Sequence, residues 1–447
     1  MNAPAALRRR LEYAGPAFFS HGFRPFFLGA AVWAALAIAL WLPQYFGHLK
    51  LPTAFGPLDW HIHEMIYGYV AAAVAGFLLT AIPNWTGRLP VNGYPLAALL
   101  ALWLLGRIAI AGSAICGVLF AAVVDVSFLL VFAAVAFGEI VAGRNWRNLR
   151  VLIVLGVLIA GNIVFHAEVI CSGSADYGIR IGIGALIGLI MLVGGRIVPS
   201  FTRNWLARNN PGRLPRPFSR FDGAAIGASA LALICWIAVP QFIVSGVLLI
   251  IAGLLQTVRH GRWAGDRTLP DRLVLVLHVA YAFVPLGFLL MGGAVLWPAI
   301  FPTSAGLHAW MAGAVALMTL AVMTRASLGN TGQELVASLP TQLIYLCVFI
   351  AALARIVAAF EPSRALLHIA AAAWILGFGG FAVFFGPGTA AGMERKNLAA
   401  EVFRVTAPYQ RSRIKAYGGL LISIQLNFEF AGPHLMYRVA LGRVCPL

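Results

Sequence analysis

The sequence predicts an all-α, polytopic transmembrane bundle of about twelve helices. Three observations carry this: the composition, the recurrence of apolar runs, and the alternation of basic connections between them. Of 447 residues, 61% are hydrophobic and only 11% charged, whereas a water-soluble domain is nearer half apolar and a quarter charged. The apolar runs recur along almost the whole length, which excludes a soluble domain on a single anchor. The same excess of apolar side chains excludes disorder.

A spanning helix takes ~20 mainly apolar residues. Runs of that kind fall at 25–43, 61–83, 93–112, 115–141, 149–170, 180–201, 222–239, 241–258, 272–292, 304–324, 339–360 and 364–386. The first follows Arg8, Arg9 and Arg10 without a clean small-residue cleavage site, so it reads as a retained helix. Only Pro240 and Gln241 divide the seventh from the eighth, the least distinct boundary. Connections on one side hold nineteen basic residues, among them Arg24, Arg88, Arg196 and Arg325. Those opposite hold five, Lys50, Arg107, Arg180, Arg355 and Arg364, with residues beyond 386 left out. Basic residues gather in cytoplasmic loops, so both termini are expected in the cytoplasm. The same rule accounts for the net charge of +17 without nucleic acid, since no basic stripe with interleaved aromatics exists outside those loops.

The chain divides into a cytoplasmic segment at 1–24, a membrane domain at 25–386 and an atypical cytoplasmic tail at 387–447. In the tail charges and glycines return, and ISIQLNFEF alternates like a strand. The longest internal connection, about 202–221, reads TRNWLARNNPGRLPRPFSRF and is the candidate seam of a 6+6 arrangement. The two halves share no convincing repeat; a weak echo joins AIPNWTGR, GGRIVPSFTR and MTRASLGNTG. Five cysteines show no metal-like spacing and read as buried, inert thiols.

Ten histidines are present. Seven lie within or at the edge of apolar runs: His21, His61, His63, His166, His278, His308 and His368. His48, His260 and His434 read as ordinary loop or tail residues. Ionisable groups at membrane depth are costly and mark proton, ion or cofactor sites. A single such histidine is more often a packing residue, but seven in one bundle point to ligation, because imidazole serves haem, copper and zinc.

The densest cluster is DWHIHEMIYGY at 59–69. There His61 and Glu64 share one helix face and His63 and Tyr67 another. Two imidazoles two residues apart diverge by about 200° on an ideal helix, so His61 and His63 are expected to serve different partners. An interfacial Trp60–His–Glu belt is the bland alternative. In the fifth span Asn162 and His166 share a face, with Glu168 nearby. Asp125 is a lone acid in an apolar run, open to a cationic site, a proton path or an arginine partner. Arg24, Arg88, Arg196 and Arg325 stand at cytoplasmic helix ends, as topology anchors or as partners for haem propionates. The chain has no Walker A loop, no CxxCH, and neither the His-His pair nor the His-Pro-Glu-Val-Tyr signature of haem–copper oxidase catalytic subunits.

In SHGFRPFF (20–27), WHIHEM (60–65), GFLLTAIPNWTGR (76–88), GGRIVPSFTRN (194–204) and MTLAVMTRASLGNTG (318–332), the sequence resembles the NnrS family. These are haem- and copper-containing membrane proteins associated with nitric oxide metabolism. The five ordered blocks cover about residues 15–386. The resemblance implies about twelve helices in a bacterial cytoplasmic membrane, a non-covalent b-type haem, copper, and resistance to nitrosative stress, with nitric oxide or nitrosylated species as ligand. It implies cofactor ligation by His21, His61, His63, His166, His278 and His308, helped by Arg24, Arg196 and Arg325. Metal is expected among His61, His63, His166, His308 and His368. Two departures stand out: Asn330 occupies a position where the family usually has histidine, and the tail after Gly386 is unlike the family's short C-terminus. No electron-entry site is visible, and imidazoles alone specify neither turnover nor substrate.

Topology and histidines together predict two layers. His61, His63, His166, His308 and His368 belong near the outer leaflet. His21 and His278 belong nearer the cytoplasm, level with the arginines. The rival reading from a different class is a 6+6 secondary transporter using intramembrane His, Asp and Glu as proton or substrate sites.

Overall fold

The computed structural model describes residue 13 and residues 15–390. Most of the expected tail lies outside the described residues. Among the described residues, twelve helices are long and apolar enough to cross a bilayer. They are α1 (Phe23–Tyr45), α2 (Pro57–Thr86), α3 (Gly93–Ala111), α4 (Val118–Ala142), α5 (Leu149–Ser172) and α6 (Tyr177–Asn209). After them come α7 (Arg220–Ala238), α8 (Ile243–Gly261), α9 (Arg272–Leu296), α10 (Thr303–Asn330), α11 (Leu339–Phe360) and α12 (Arg364–Ala390). No strand occurs among the described residues.

Local chemistry sets several ends. Ser219 and Asp222 form a reciprocal capping box at the start of α7. The Asp271 carboxylate accepts from the backbone N–H of Leu273 and Val274 at the start of α9. The α2 helix stops at Gly87, whose φ of 69° is the left-handed conformation that glycine adopts without steric cost. The α6 helix runs on to Asn209, so the connection expected at 202–221 begins later than the hydropathy suggests.

Three helices, α2, α6 and α10, touch one another at the centre, and the others pack around them. Neighbours in sequence are neighbours in space, and α12 closes the ring on α1. Each central helix carries a π-helical stretch: Glu64–Val70 in α2, Ile190–Gly194 in α6 and Ala309–Val315 in α10. Such i→i+5 turns hold one residue more than an α-turn and concentrate at functional sites. The recurrence has a period of four spans, and the three faintly similar exit sequences lie at the ends of these same three helices.

The four described cysteines are free, and Cys116 and Cys171 are exposed rather than buried. Both stand where a helix begins or ends, beyond the packed face. Their apolar sequence context reflects the span and not enclosure.

Candidate metal centre and the remaining histidines

His63 and Glu64 stand where α2 passes from α- to π-helix, and neither side chain is exposed at all. The π turn carries them into a space shared with α1, α3, α4 and α5. Glu64 accepts from Trp33 Nε1 at 2.6 Å and from Arg107 Nη1, which is 2.7 Å from both carboxylate oxygens. The other end of the same guanidinium donates to Asp125 Oδ1. Asp125 Oδ2 accepts from Asn162 Nδ2 at 2.8 Å and from His166 Nε2 at 3.0 Å. His63 Nδ1 lies 3.1 Å from Glu64 Oε1, and its Nε2 lies 3.2 Å from both Asn162 Oδ1 and Asp125 Oδ2.

One nitrogen each of His63 and His166 and one oxygen of Asp125 all lie within 4.8 Å of one another. With neutral imidazoles, two carboxylates face one guanidinium, so a second positive charge, a proton on His63 or a bound cation, completes the balance. Both ring nitrogens of His63 also face oxygen atoms. A cation seated between the two imidazoles and Asp125 satisfies both conditions. Buried charges persist only when paired or coordinated to metal. Phe55 and Phe165 pack against His63, with centroids at 5.5 and 5.0 Å, and keep the place apolar. Two imidazoles and one carboxylate can hold a first-row transition metal and leave positions open to a small ligand.

Arg107 corrects the sequence reading. Its position places it among the loop cations, yet it is 2% exposed and ties two helices to a third. The signal is present in the sequence: an arginine inside LALWLLGRIAIA, one turn short of the helix end. Asp125 takes up the arginine partner that the sequence leaves open, and His166 besides.

The remaining histidines of the expected outer layer do not join this cluster. His61 points away from His63, as their spacing requires, and stacks on Trp41 with centroids 4.1 Å apart. His308 donates from Nδ1 to Ser304 O at 2.6 Å and accepts at Nε2 from Arg355 Nη2 at 2.8 Å. His368 donates to Arg364 O at 2.7 Å and stacks on Phe46. The layer is thus divided into a triad, a His61–His308 region and His368.

At the opposite end of the bundle the Thr202 hydroxyl donates to Val198 O, so it accepts from His278 Nε2 at 2.8 Å. That leaves His278 Nδ1 to accept from His260 Nε2 at 3.2 Å. His260 is therefore not the ordinary loop residue that the sequence suggests. It ends α8, half-buried and stacked on His278, and its place at the helix end hides the contact. Arg259 beside it is buried; it donates to Tyr281 Oη at 2.7 Å and lies 3.5 Å from Asp222. His21 stands beside Ser20 Oγ at 3.2 Å. Arg24 is buried and donates to Gly388 O at 3.4 Å, Arg325 lies 4.1 Å over the Phe201 ring, and Arg196 is exposed. Arg88, half-exposed and paired with Glu139 at 2.6 Å, suits an anchoring role. Asn330 donates to Ala326 O at 2.8 Å within its own helix.

A comparison with curated proteins finds no match. A family model does match, and it covers residues 17–390, nearly all of the described chain and every helix of the bundle: this membrane protein belongs to the NnrS protein family.

Proposed function

We propose that the chain is a haem- and copper-bearing protein of the bacterial cytoplasmic membrane that acts in resistance to nitric oxide and nitrosative stress. We place copper at His63, Asp125 and His166. The observation that carries this reading is the buried triad, with three ligand atoms within 4.8 Å of one another. Family membership supports the cofactors and the stress role. The donor set of two nitrogens and one oxygen fits copper, whose divalent form takes imidazole and carboxylate ligands. Bound there, the metal would supply an open coordination position for a diatomic ligand.

The chain's own residues prepare the place. Arg107 and Asn162 orient the Asp125 carboxylate, and Glu64 receives the nitrogen of His63 that the metal does not need. Such outer partners fix imidazole tautomers and sharpen affinity. Phe55, Phe165 and Tyr67 surround His63 and exclude water. Both termini belong in the cytoplasm by the distribution of basic connections, which puts the triad near the outer leaflet.

The test is purification of the full chain with copper by elemental analysis, haem by absorption, and nitric oxide consumption on the same sample. Copper near one per chain, lost on His166→Ala, supports the reading. A chain free of both cofactors overturns it in favour of secondary transport.

A further inference from the structure

We infer that His61 and His308 form a second ligand site, separate from the triad, for a planar metal cofactor with peripheral carboxylates, and that Arg355 is the partner of a carboxylate. The inference rests on the reading that the chain carries haem, and it assigns the residues.

His308 is arranged as a ligand. By giving its Nδ1–H to Ser304 O one turn back, it keeps its lone pair on Nε2. Metal-binding imidazoles are held in this way, with the second nitrogen donating to a carbonyl or carboxylate. The Nε2 lone pair instead accepts from Arg355 Nη2 at 2.8 Å. A neutral imidazole is a poor match for a guanidinium in an apolar bundle, and no carboxylate among the described residues pairs with Arg355. The buried arginines among the described residues, Arg24, Arg107, Arg180 and Arg259, each have an acid or carbonyl to donate to.

In α2, His61 Nδ1 is buried and without a partner. Trp41 Nε1, Gln44 Oε1 and Trp60 Nε1 are also buried without partners, at the end of α1 and the start of α2. Buried polar atoms almost always find a hydrogen bond, so four orphans at one end of the bundle mark a place built for a ligand. His308 and Arg355 are both close enough to act electrostatically on His61. The flat face of Trp41, already stacked on one aromatic ring, suits another.

The ligand class follows from these groups together. Two imidazoles from different helices would hold the iron of such a cofactor. A guanidinium without a counter-ion takes a carboxylate through paired hydrogen bonds. Haem presents both. The π-helical stretch of α10 begins directly after His308, as that of α2 begins directly after His63, so each proposed centre takes a histidine from the same place on a central helix.

The experiment uses the full chain purified with the haem it acquires in the cell, comparing wild type with His61→Ala, His308→Gly, Arg355→Gln and His166→Ala. Haem per chain is read from the Soret band and copper by elemental analysis. The expected result is a loss of haem of about tenfold in each histidine variant of this site, with copper kept. His166→Ala shows the reverse. Arg355→Gln keeps the axial-ligand spectrum but releases haem more readily to an acceptor globin. Added imidazole restores the Soret band of His308→Gly, which a misfolded chain could not do. Undiminished haem in both His61→Ala and His308→Gly overturns the assignment while the haem reading stands. Absence of haem from the wild type overturns that reading itself.

Discussion

Arg107 Nη1 stands 2.7 Å from both carboxylate oxygens of Glu64, and neither residue is more than 2% exposed. The same guanidinium holds Asp125, so one cation neutralises part of two acids brought from different helices. Removing it leaves two buried carboxylates without the cation they share. Arg107→Leu is therefore expected to cost about 3–5 kcal/mol, read as a lower unfolding temperature in detergent. Arg107→Lys keeps the charge but cannot reach both acids, and falls between. Wild-type stability in Arg107→Leu would mean that the acids are neutral without it.

Gly68 lies one turn into the π-helical stretch, beneath this pair. A methyl group there would stand 2.7 Å from Arg107 Nη1, 2.7 Å from Glu64 Oε2 and 2.9 Å from Trp33 Nε1. Overpacking of this kind costs about 1–3 kcal/mol. Gly68→Ala is expected to destabilise the chain by that order, while Gly138→Ala, with open space at its Cβ position, does not lower the unfolding temperature.

Asn162 touches two members of the triad, its amide nitrogen donating to Asp125 and its oxygen facing His63. Its loss should disturb the ligands without removing one. Asn162→Ala is expected to weaken copper affinity about tenfold, while full occupancy returns at high copper. A competition titration against a chelator of known affinity measures this. An unchanged affinity would place the metal elsewhere.

The twelve spans are legible in the sequence because a bilayer demands long apolar runs, and composition reports them directly. The divergence of His61 and His63 is equally legible, since it follows from helix geometry alone. What joins each to its partners is not. His63 meets Asn162 across 99 positions and His166 meets Asp125 across 41, and hydropathy carries no information about which helices are neighbours. Arg107 and Arg355 each stand near a helix end, where an arginine ordinarily snorkels to the interface, so sequence position assigns them to topology. The π-helical stretches leave no trace either: Ala309–Val315 reads as any other apolar segment, and its extra residue per turn changes no residue type.

The proposed orientation, with both termini in the cytoplasm, predicts which thiols face outward. Cys116 follows α3 and Cys171 lies in the last turn of α5, both exposed and both at the end of the bundle where α1 finishes. With both termini in the cytoplasm, that end faces outward. A membrane-impermeant maleimide added to intact spheroplasts should label single-cysteine chains carrying Cys116 or Cys171, and label Cys445 only after lysis. The opposite pattern would invert the bundle and move the triad toward the cytoplasmic leaflet.

The π-helical stretch of α2 predicts a way to separate the metal centre from the fold. Glu64–Val70 holds one residue more than an α-helix would over the same rise. Inserting an alanine after Ile66 adds a residue that the stretch, already wider by one, does not take up, which turns Pro57–His63 by about 100° relative to Ala71–Thr86. Ala71, Ala72 and Ala75 keep their buried places in the lower part of the helix, so insertion and most of the packing survive. His63 no longer faces Asp125 and His166, and the triad is broken. The matching insertion in α6, of an alanine after Met191 in Ile190–Gly194, disturbs packing of similar extent but moves no histidine toward or away from this centre. The expected outcome is that both insertion variants elute as a single species in detergent, with copper lost only on insertion after Ile66. Equal copper in both would show that the π turn shapes the helix without placing His63, and that the metal does not depend on that imidazole.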